Sequence, residues 1–445
     1  MLELGSLLVL VAVLTVGSIW RLLVARFPHP ADLATLAVFY YTLPLALAAT
    51  LFPEVSQLIF LHSAASNYDL AVQSILYTVL AAICLQGGRW MASRLAIHAP
   101  RLQFALAPAD LLKTSLVLPG LLGAIVLGVV LFGSEAFFSG YNVASQESTS
   151  TLGTAMIYLS IEWLGLAMVY GVMASRATGK PLSRGIIILT VVSLLFLGAV
   201  RGKRLEIIAA SLPVGLLMFA SRPFFRSVSG RMLTVFAVAV LVSMLASLRL
   251  GGGVDVADIL FNFVSEGLFA GHVLPGILEK LNSGQIDYEY GRRVLAGIFA
   301  FVPRIVWPNK DDFLYSGNEL LDSVAPLGAT SLVGEVVLQG GLIAVILWFT
   351  GIGFLFERIH GSLKNFDAAI AARRLPMSAI WYFVVVASFI PHFRDGLMTS
   401  IKIALQSGVF FMGVAGLKLL PSLTWTVMSR RGPDPGAAPA PALER

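Results

Sequence analysis

"SLVGEVVLQGGLIAVILWFTGIGFLF" occupies residues 331–356 and carries a single charged side chain, Glu335. Spanning a bilayer takes roughly 20 apolar residues, and this run supplies more. It predicts a membrane helix over about 329–356, with Glu335 near its outer end. A carboxylate directly behind a glycine, here Gly334, can be approached closely by another backbone or by a substrate. Glu335 is therefore a candidate general base, or one half of a helix-end salt bridge.

The rest of the chain has the same character. Apolar residues make up 57% and charged residues 13%, and the mean hydropathy is +0.84. Soluble domains carry about 25% charged residues, so the composition specifies an all-α polytopic membrane protein. Apolar runs predict eleven spans, within a range of ten to twelve. They lie at about 3–20, 32–52, 70–88, 111–132, 154–174, 185–200, 205–221, 231–248, 329–356, 376–391 and 398–418. The short pair 185–200 and 205–221, separated by "RGKR", is alternatively a re-entrant pair. The run Leu4 to Trp20 has no basic residue before it and no small-residue cleavage pattern, so it reads as a retained helix rather than a signal peptide. This divides the chain into helices over 1–248, one large partly helical outer loop over 249–328, helices over 329–418, and a Pro/Ala-rich disordered tail over 419–445.

Cys84 is the single cysteine and excludes an intrachain disulfide. The six scattered histidines show no metal-ligand spacing, so no metal and no cofactor is expected.

Lysine and arginine bias in the loops sets orientation. With the C-terminus in the cytoplasm and helix-end residues assigned to the nearer side, the loops around 21–31, 89–110, 175–184, 222–230 and 357–375, together with the tail, hold 20 of 31 basic residues and 6 of 25 acidic ones. The odd helix count then places the N-terminus outside. Eleven basic residues remain on the outer side: Arg201, Lys203, Arg204, Arg249, Lys280, Arg292, Arg293, Arg304, Lys310, Arg394 and Lys402. Several sit at predicted helix ends, near headgroup depth. Arginine suits phosphate there because its planar guanidinium offers paired donors and stays charged. Snorkelling with local ion pairs, such as Arg394 with Asp395 or Arg204 with Glu206, is the structural alternative. Glu162, about 12 Å inside the fifth span by helical rise, is expected to face the bundle interior or water.

The long outer segment is not disorder-like. Asp255, Asp258, Asn262 and Glu266 alternate with Ile259, Leu260, Phe263 and Val264. That spacing predicts an amphipathic helix within 254–281, in the interface plane or on the bundle. Val294 to Val302 is too short to span and reads as a piece dipping into the outer leaflet, kinked or ended by Pro303. Arg304 then stands at irregular backbone, at the mouth of a polar cavity at headgroup depth, and Trp307 suits the lipid-headgroup boundary.

Tyr290-Gly291, about ten apolar residues, Pro303-Arg304 and Trp307-Pro308-Asn309-Lys310, followed by Gly334-Glu335 and Gly340-Gly341, form a string. It resembles that of the O-antigen and exopolysaccharide repeat-unit polymerases, the Wzy-type family. The family usually places a proline after the lysine, whereas Lys310 here is followed by Asp311. The resemblance implies a glycosyltransferase of the bacterial inner membrane with a GT-C-like architecture. It would face the periplasm and join undecaprenyl-pyrophosphate-linked oligosaccharide repeat units into a polymer. It also implies a flippase and a chain-length regulator as partners in the bilayer, and no nucleic acid. Cleaving the sugar-phosphate bond expels pyrophosphate, whose charge fixed cations can stabilise in place of a metal. The candidate pyrophosphate ligands are Arg304, Arg204 and Arg249, then Arg201, Arg292 and Arg394, with Lys310, Tyr290 and Trp307 also on the substrate. Glu335 leads the candidates for the base, followed by Asp312 and His392. An O-antigen ligase shares the same chemistry, and a lipid-linked sugar transporter is the rival of another class. A transporter would be marked by internal repeats and midplane charges, and neither is evident.

Overall fold

The computed structural model describes residues 2–51, 67–95, 103–105, 152–179, 204–221, 227–249, 264–265, 267–300, 306–315 and 330–416, with isolated positions at 181–192, 302 and 324. The chain is mostly helical. Four helical stretches among the described residues are long and apolar enough to cross a membrane: Leu4–Val24, Pro30–Leu51, Tyr68–Arg94 and the run Leu332–Ala371. Shorter apolar helices accompany them. The helices are α1 (Leu2–Val24), α2 (Pro30–Leu51), α3 (Tyr68–Arg94), α4 (Leu152–Thr178), α5 (Arg204–Ser221), α6 (Val228–Arg249), α7 (Val273–Asn282), α8 (Arg292–Phe299), α9 (Lys310–Tyr315), α10 (Leu332–Gly361), α11 (Phe366–Ala371), α12 (Met377–Val384) and α13 (Gly396–Gly416). Gln103–Ala105 and Arg374–Pro376 form one short antiparallel pair. The expected span at 111–132 and most of that at 185–200 lie outside the described residues, as do the acidic positions 255 and 258, the Glu162 side chain and the tail.

The core is built on α10 against α3, with α2 packed on α3 and α5 on α4. Lipid offers no hydrophobic drive between helices, so close backbone approach must supply the attraction, and small residues permit it. Gly88 of α3 faces the Thr350 carbonyl, and Gly353 of α10 faces the Leu85 carbonyl, each so closely that a Cβ has no room. Gly353→Ala is expected to wedge the two helices apart at a cost of about 1–3 kcal/mol, read as a lower melting midpoint in detergent. An unchanged midpoint would show that the crossing is not tightly packed.

Helix α10 is bent. Gly340 and Gly341 leave helical geometry, Gly341 with φ +60. Before the bend, residues 332–339 are all buried; after it Leu342, Ile343 and Leu347 are more than half exposed. Residues 342–361 alone measure about 30 Å, a full hydrocarbon thickness. The lipid-facing stripe therefore starts at the bend, and Glu335 lies in a buried segment beyond it.

The two ends of the bundle differ. At one, Asp32 is buried and receives Arg21 Nη2 at 2.7 Å and Arg89 Nη1 at 3.0 Å. His29 Nε2 lies 2.9 Å from Glu357 Oε2, while His29 Nδ1 accepts the Ala31 N–H at 3.0 Å. Arg231 Nη1 donates to the Leu22 and Leu23 carbonyls at 3.1 Å, and Arg26 Nε to the Ala220 carbonyl at 3.3 Å. These contacts tie the ends of α1, α2, α3, α5, α6 and α10 into one polar layer. Burial, aided by the Arg89 charge and opposed by the Glu357 hydrogen bond, lowers the His29 pKa from 6.5 to about 4. The unfolded chain thus binds a proton that the folded chain refuses, and stability falls as pH drops from 6.5 through 4. The loss is up to about 3 kcal/mol. Melting midpoints at pH 7 and pH 5 should diverge less in His29→Gln than in the parent; an equal divergence would remove His29 as the cause.

Of the two placements expected for the long segment, the described part of 264–282 packs on the bundle. Residues 264–265 and 267–271 are helical, the chain turns at His272, and α7 continues with Val273, Leu274, Ile277 and Leu278 buried against α3 and α10. The reason is visible in the small residues: a Cβ on Gly267 would collide with Tyr40 and Pro44 of α2, and one on Gly271 would press on Leu45 of the same helix. Helix α8 covers only part of the expected Val294 to Val302 piece, ending at Phe299. It buries Arg293, Ala296 and Gly297, the last against Met398 and Ile401 of α13, and exposes Leu295, Ile298 and Phe299.

Candidate functional site

A helix start leaves backbone N–H groups without intrahelical partners and carries partial positive charge, so a carboxylate placed there is stabilised. Glu335, in the first turn of α10, serves the start of α13. Its Oε2 accepts the Leu397 N–H at 2.7 Å and the Met398 N–H at 3.3 Å. Gly396 permits this approach: its φ is +86, and a Cβ would collide with the Glu335 carboxylate and with Thr330 Oγ1. Glu335 is 2% exposed.

The residue before that glycine is Asp395, which pairs with Thr330 in an isolated bridge. Its Oδ2 lies 2.8 Å from His392 Nδ1, and His392 is buried. An ionised carboxylate only accepts, so Nδ1 carries the proton and Nε2 is the basic nitrogen. Ser400 Oγ donates to the His392 carbonyl at 2.8 Å, locking the turn. A π-turn over Val385–Phe389 precedes this segment; such turns recur at functional sites. Glu335 and the His392–Asp395 pair thus share one turn, Asp395-Gly396, as a common support.

One turn further along α10 a second set converges. Glu289 Oε2 receives Arg293 Nε at 3.0 Å and Gln339 Nε2 at 3.0 Å, while Gln339 Oε1 accepts the Arg293 N–H at 3.2 Å. The Arg293 side chain is 3% exposed and that of Glu289 10%, and the Arg293 charge reaches Glu335. Next to the bend the Leu338 carbonyl accepts the Glu289 N–H at 2.9 Å. Two carboxylates, one guanidinium and a helix start therefore balance one another in a buried polar layer that joins α8, α10 and α13.

The other predicted residues divide. Arg394, in the turn carrying His392, lies 4.0 Å from Asp395 Oδ1 and is mostly buried. Arg292 starts α8, its guanidinium carbon 6.0 Å from the Phe313 ring centre. Trp307 sits between Phe299 at 6.1 Å and Phe313 at 5.5 Å. Lys310 Nζ donates to the Ala300 and Val302 carbonyls at 2.9 and 2.7 Å, just past the end of α8. Asp312 is exposed within α9, and Tyr290 is 80% exposed. Arg204 opens α5, which packs on the turn that carries His392. Arg249 closes α6, whose first turn lies in the opposite polar layer. The side chains of Arg204 and Arg249, and the whole of Arg201 and Arg304, lie outside the described residues.

Arg293, Glu289, Gln339 and Gly396 were not singled out by their sequence context as site residues. A signal for one of these contacts existed: Glu335 and Gln339 are four apart within one helix and so share a face, whereas Glu289 precedes α8 across the Tyr290-Gly291 turn. Comparison with protein-family models, with curated proteins and with solved structures finds no match to this chain.

Proposed function

We propose that the protein is an inner-membrane glycosyltransferase that polymerises undecaprenyl-pyrophosphate-linked oligosaccharide repeat units on the periplasmic side, through about eleven spans. The observation that carries the reading is the meeting of the two strings behind the family resemblance. The segment around Tyr290-Gly291 and the segment Gly334-Glu335 to Gly340-Gly341 are hydrogen-bonded to each other through Glu289, Arg293, Leu338 and Gln339. They lie beside a histidine–aspartate pair, at the far end from the Asp32 layer.

In the proposed reaction the acceptor hydroxyl oxygen forms a bond to the anomeric carbon of the growing chain. The bond from that carbon to the phosphate oxygen breaks, and the lipid pyrophosphate leaves with the electron pair. Arginines, with Arg304, Arg204 and Arg249 foremost, stabilise the departing charge. The hydroxyl proton goes to a base. Glu335 Oε2 already caps two backbone N–H groups, and Thr330 adds a hydrogen bond, which commits this carboxylate to holding the start of α13. His392, oriented by Asp395, is the better placed base.

The test is the purified protein in nanodiscs, given lipid-linked repeats and no divalent metal. A ladder of lengthened products supports the polymerase. Transfer only to a lipid A core acceptor would make it a ligase, and movement of the repeats across the bilayer without a new bond would make it a transporter.

A further inference from the structure

Tyr290 is held in a conformation that L-residues with large side chains rarely adopt, with φ +43, followed by Gly291 at φ +90. Such backbone is unfavourable and persists where something else over-determines it. Burial is not the return here, because Tyr290 is 80% exposed. Its ring meets Tyr288 edge to face, centroids 6.1 Å apart, and Tyr288 is itself 40% exposed, with its hydroxyl against Gly341 at the bend of α10. The turn leading to this pair is polar and outward-facing: Glu279, Asn282, Gln285 and Asp287 are exposed, and Asn282 Nδ2 donates to Gln73 Oε1 of α3 at 3.3 Å.

We infer that Tyr290 and Tyr288, with the carboxamide and carboxylate groups of this turn, form a binding surface for the oligosaccharide portion of the substrate, an inference that rests on the glycosyltransferase reading. An aromatic face carries partial negative charge and accepts the C–H face of a sugar ring. Amides and carboxylates around it match hydroxyl groups as donors and acceptors. A phospholipid headgroup is the other partner a boundary tyrosine fits. The carboxylates of Glu279 and Asp287 offset the neighbouring Lys280 and Arg292 cations, so this segment offers no excess positive charge to a phosphate and suits an uncharged polyol. The surface adjoins the Glu289–Arg293–Gln339 layer in the chain, so a sugar held on Tyr290 lies beside the proposed chemistry.

The test uses the full-length protein in nanodiscs and saturation-transfer NMR with neutral hexasaccharides: malto-, cello-, manno- and xylohexaose. At least one should receive signal, Tyr290→Ala should reduce it at least about fivefold, and Tyr290→Trp should retain it. Tyr290→Gly relieves the backbone, so it should lose the glycan signal without lowering the melting midpoint, which a merely structural tyrosine would not do. Absence of signal from every hexasaccharide, or full signal in Tyr290→Ala, overturns the inference. So does a nitroxide at Tyr290→Cys, in a Cys84→Ala background, that is reached by oxygen in preference to a water-soluble nickel chelate, because that places the ring in lipid. Polymer formation with no hexasaccharide signal sinks this surface alone. Signal without any new glycosidic bond sinks the transferase reading and leaves the surface standing.

Discussion

Arg293→Met should fail to accumulate as folded protein, or melt far below the parent. The substitution keeps the length and removes the charge from a layer where the Arg293 side chain is 3% exposed. Glu289 would keep only Gln339 from its present pair of donors, and Glu335 would lose the nearby positive charge that reaches it. Removing one partner of a buried ion pair costs about 3–5 kcal/mol, because the remaining charge stays desolvated and uncompensated. That is a large share of the whole stability of a folded domain. The double variant Glu289→Gln with Arg293→Met removes both charges and should recover a large part of the loss, since neutralising both partners leaves no unpaired charge. Arg293→Lys should fall between, as an ammonium reaches Glu289 with one contact and lacks the fork. The readout is the melting midpoint of detergent-solubilised protein. A midpoint for Arg293→Met within about 2 °C of the parent, less than 1 kcal/mol shifts a domain of ordinary size, would mean that the layer is hydrated and the pairing incidental.

The helices were legible because the solvent differs. A run that must satisfy its backbone in hydrocarbon has to be helical and apolar, and the runs read at about 3–20, 32–52, 70–88, 154–174, 205–221, 231–248 and 398–418 fall on helices of the structure, the largest difference being at Arg94, where α3 ends beyond the expected 88. What sequence order hides is long-range pairing. Nothing local says that Glu335 serves residues 62 positions further on, and the bend at Gly340-Gly341 is written only as two glycines inside an apolar run. The difference between Arg292 and Arg293 is within reach of the sequence. Positions 293, 296 and 297 form one helical face, and Ala296 and Gly297 are the small residues that allow close packing on α13. The arginine on the face of small residues is the buried one, and Arg292 is turned toward Phe313. Lys310 shows the converse: it opens the next helix, and its Nζ reaches back across the intervening turn to the Ala300 and Val302 carbonyls just past α8.

If His392 is the base, His392→Gln should lower the polymerisation rate by about 10²- to 10⁴-fold, the usual worth of a positioned proton acceptor. Folding should survive, because the Ser400 hydroxyl grips the His392 backbone carbonyl rather than the ring. Asp395→Asn should fall less far, about 10²-fold: it loses the charge that stabilises the imidazolium and can present either an oxygen or an amide to Nδ1. The discriminating variant is Glu335→Gln. Its carbonyl oxygen can still accept the Leu397 and Met398 N–H groups, so the start of α13 is preserved while proton uptake is lost. With His392 as base, Glu335→Gln stays within about fivefold of the parent rate, since a neutral amide replaces most of the cap. With Glu335 as base, Glu335→Gln is silent and His392→Gln turns over. The pH profile separates the cases further, because a histidine base gives the parent a rate that falls on the acid side, and that fall disappears in the residual activity of His392→Gln. A parent profile flat from pH 5 to pH 8, with Glu335→Gln inactive but normally folded, would transfer the role to the carboxylate and leave the His392–Asp395 pair as a clasp on the turn before α13.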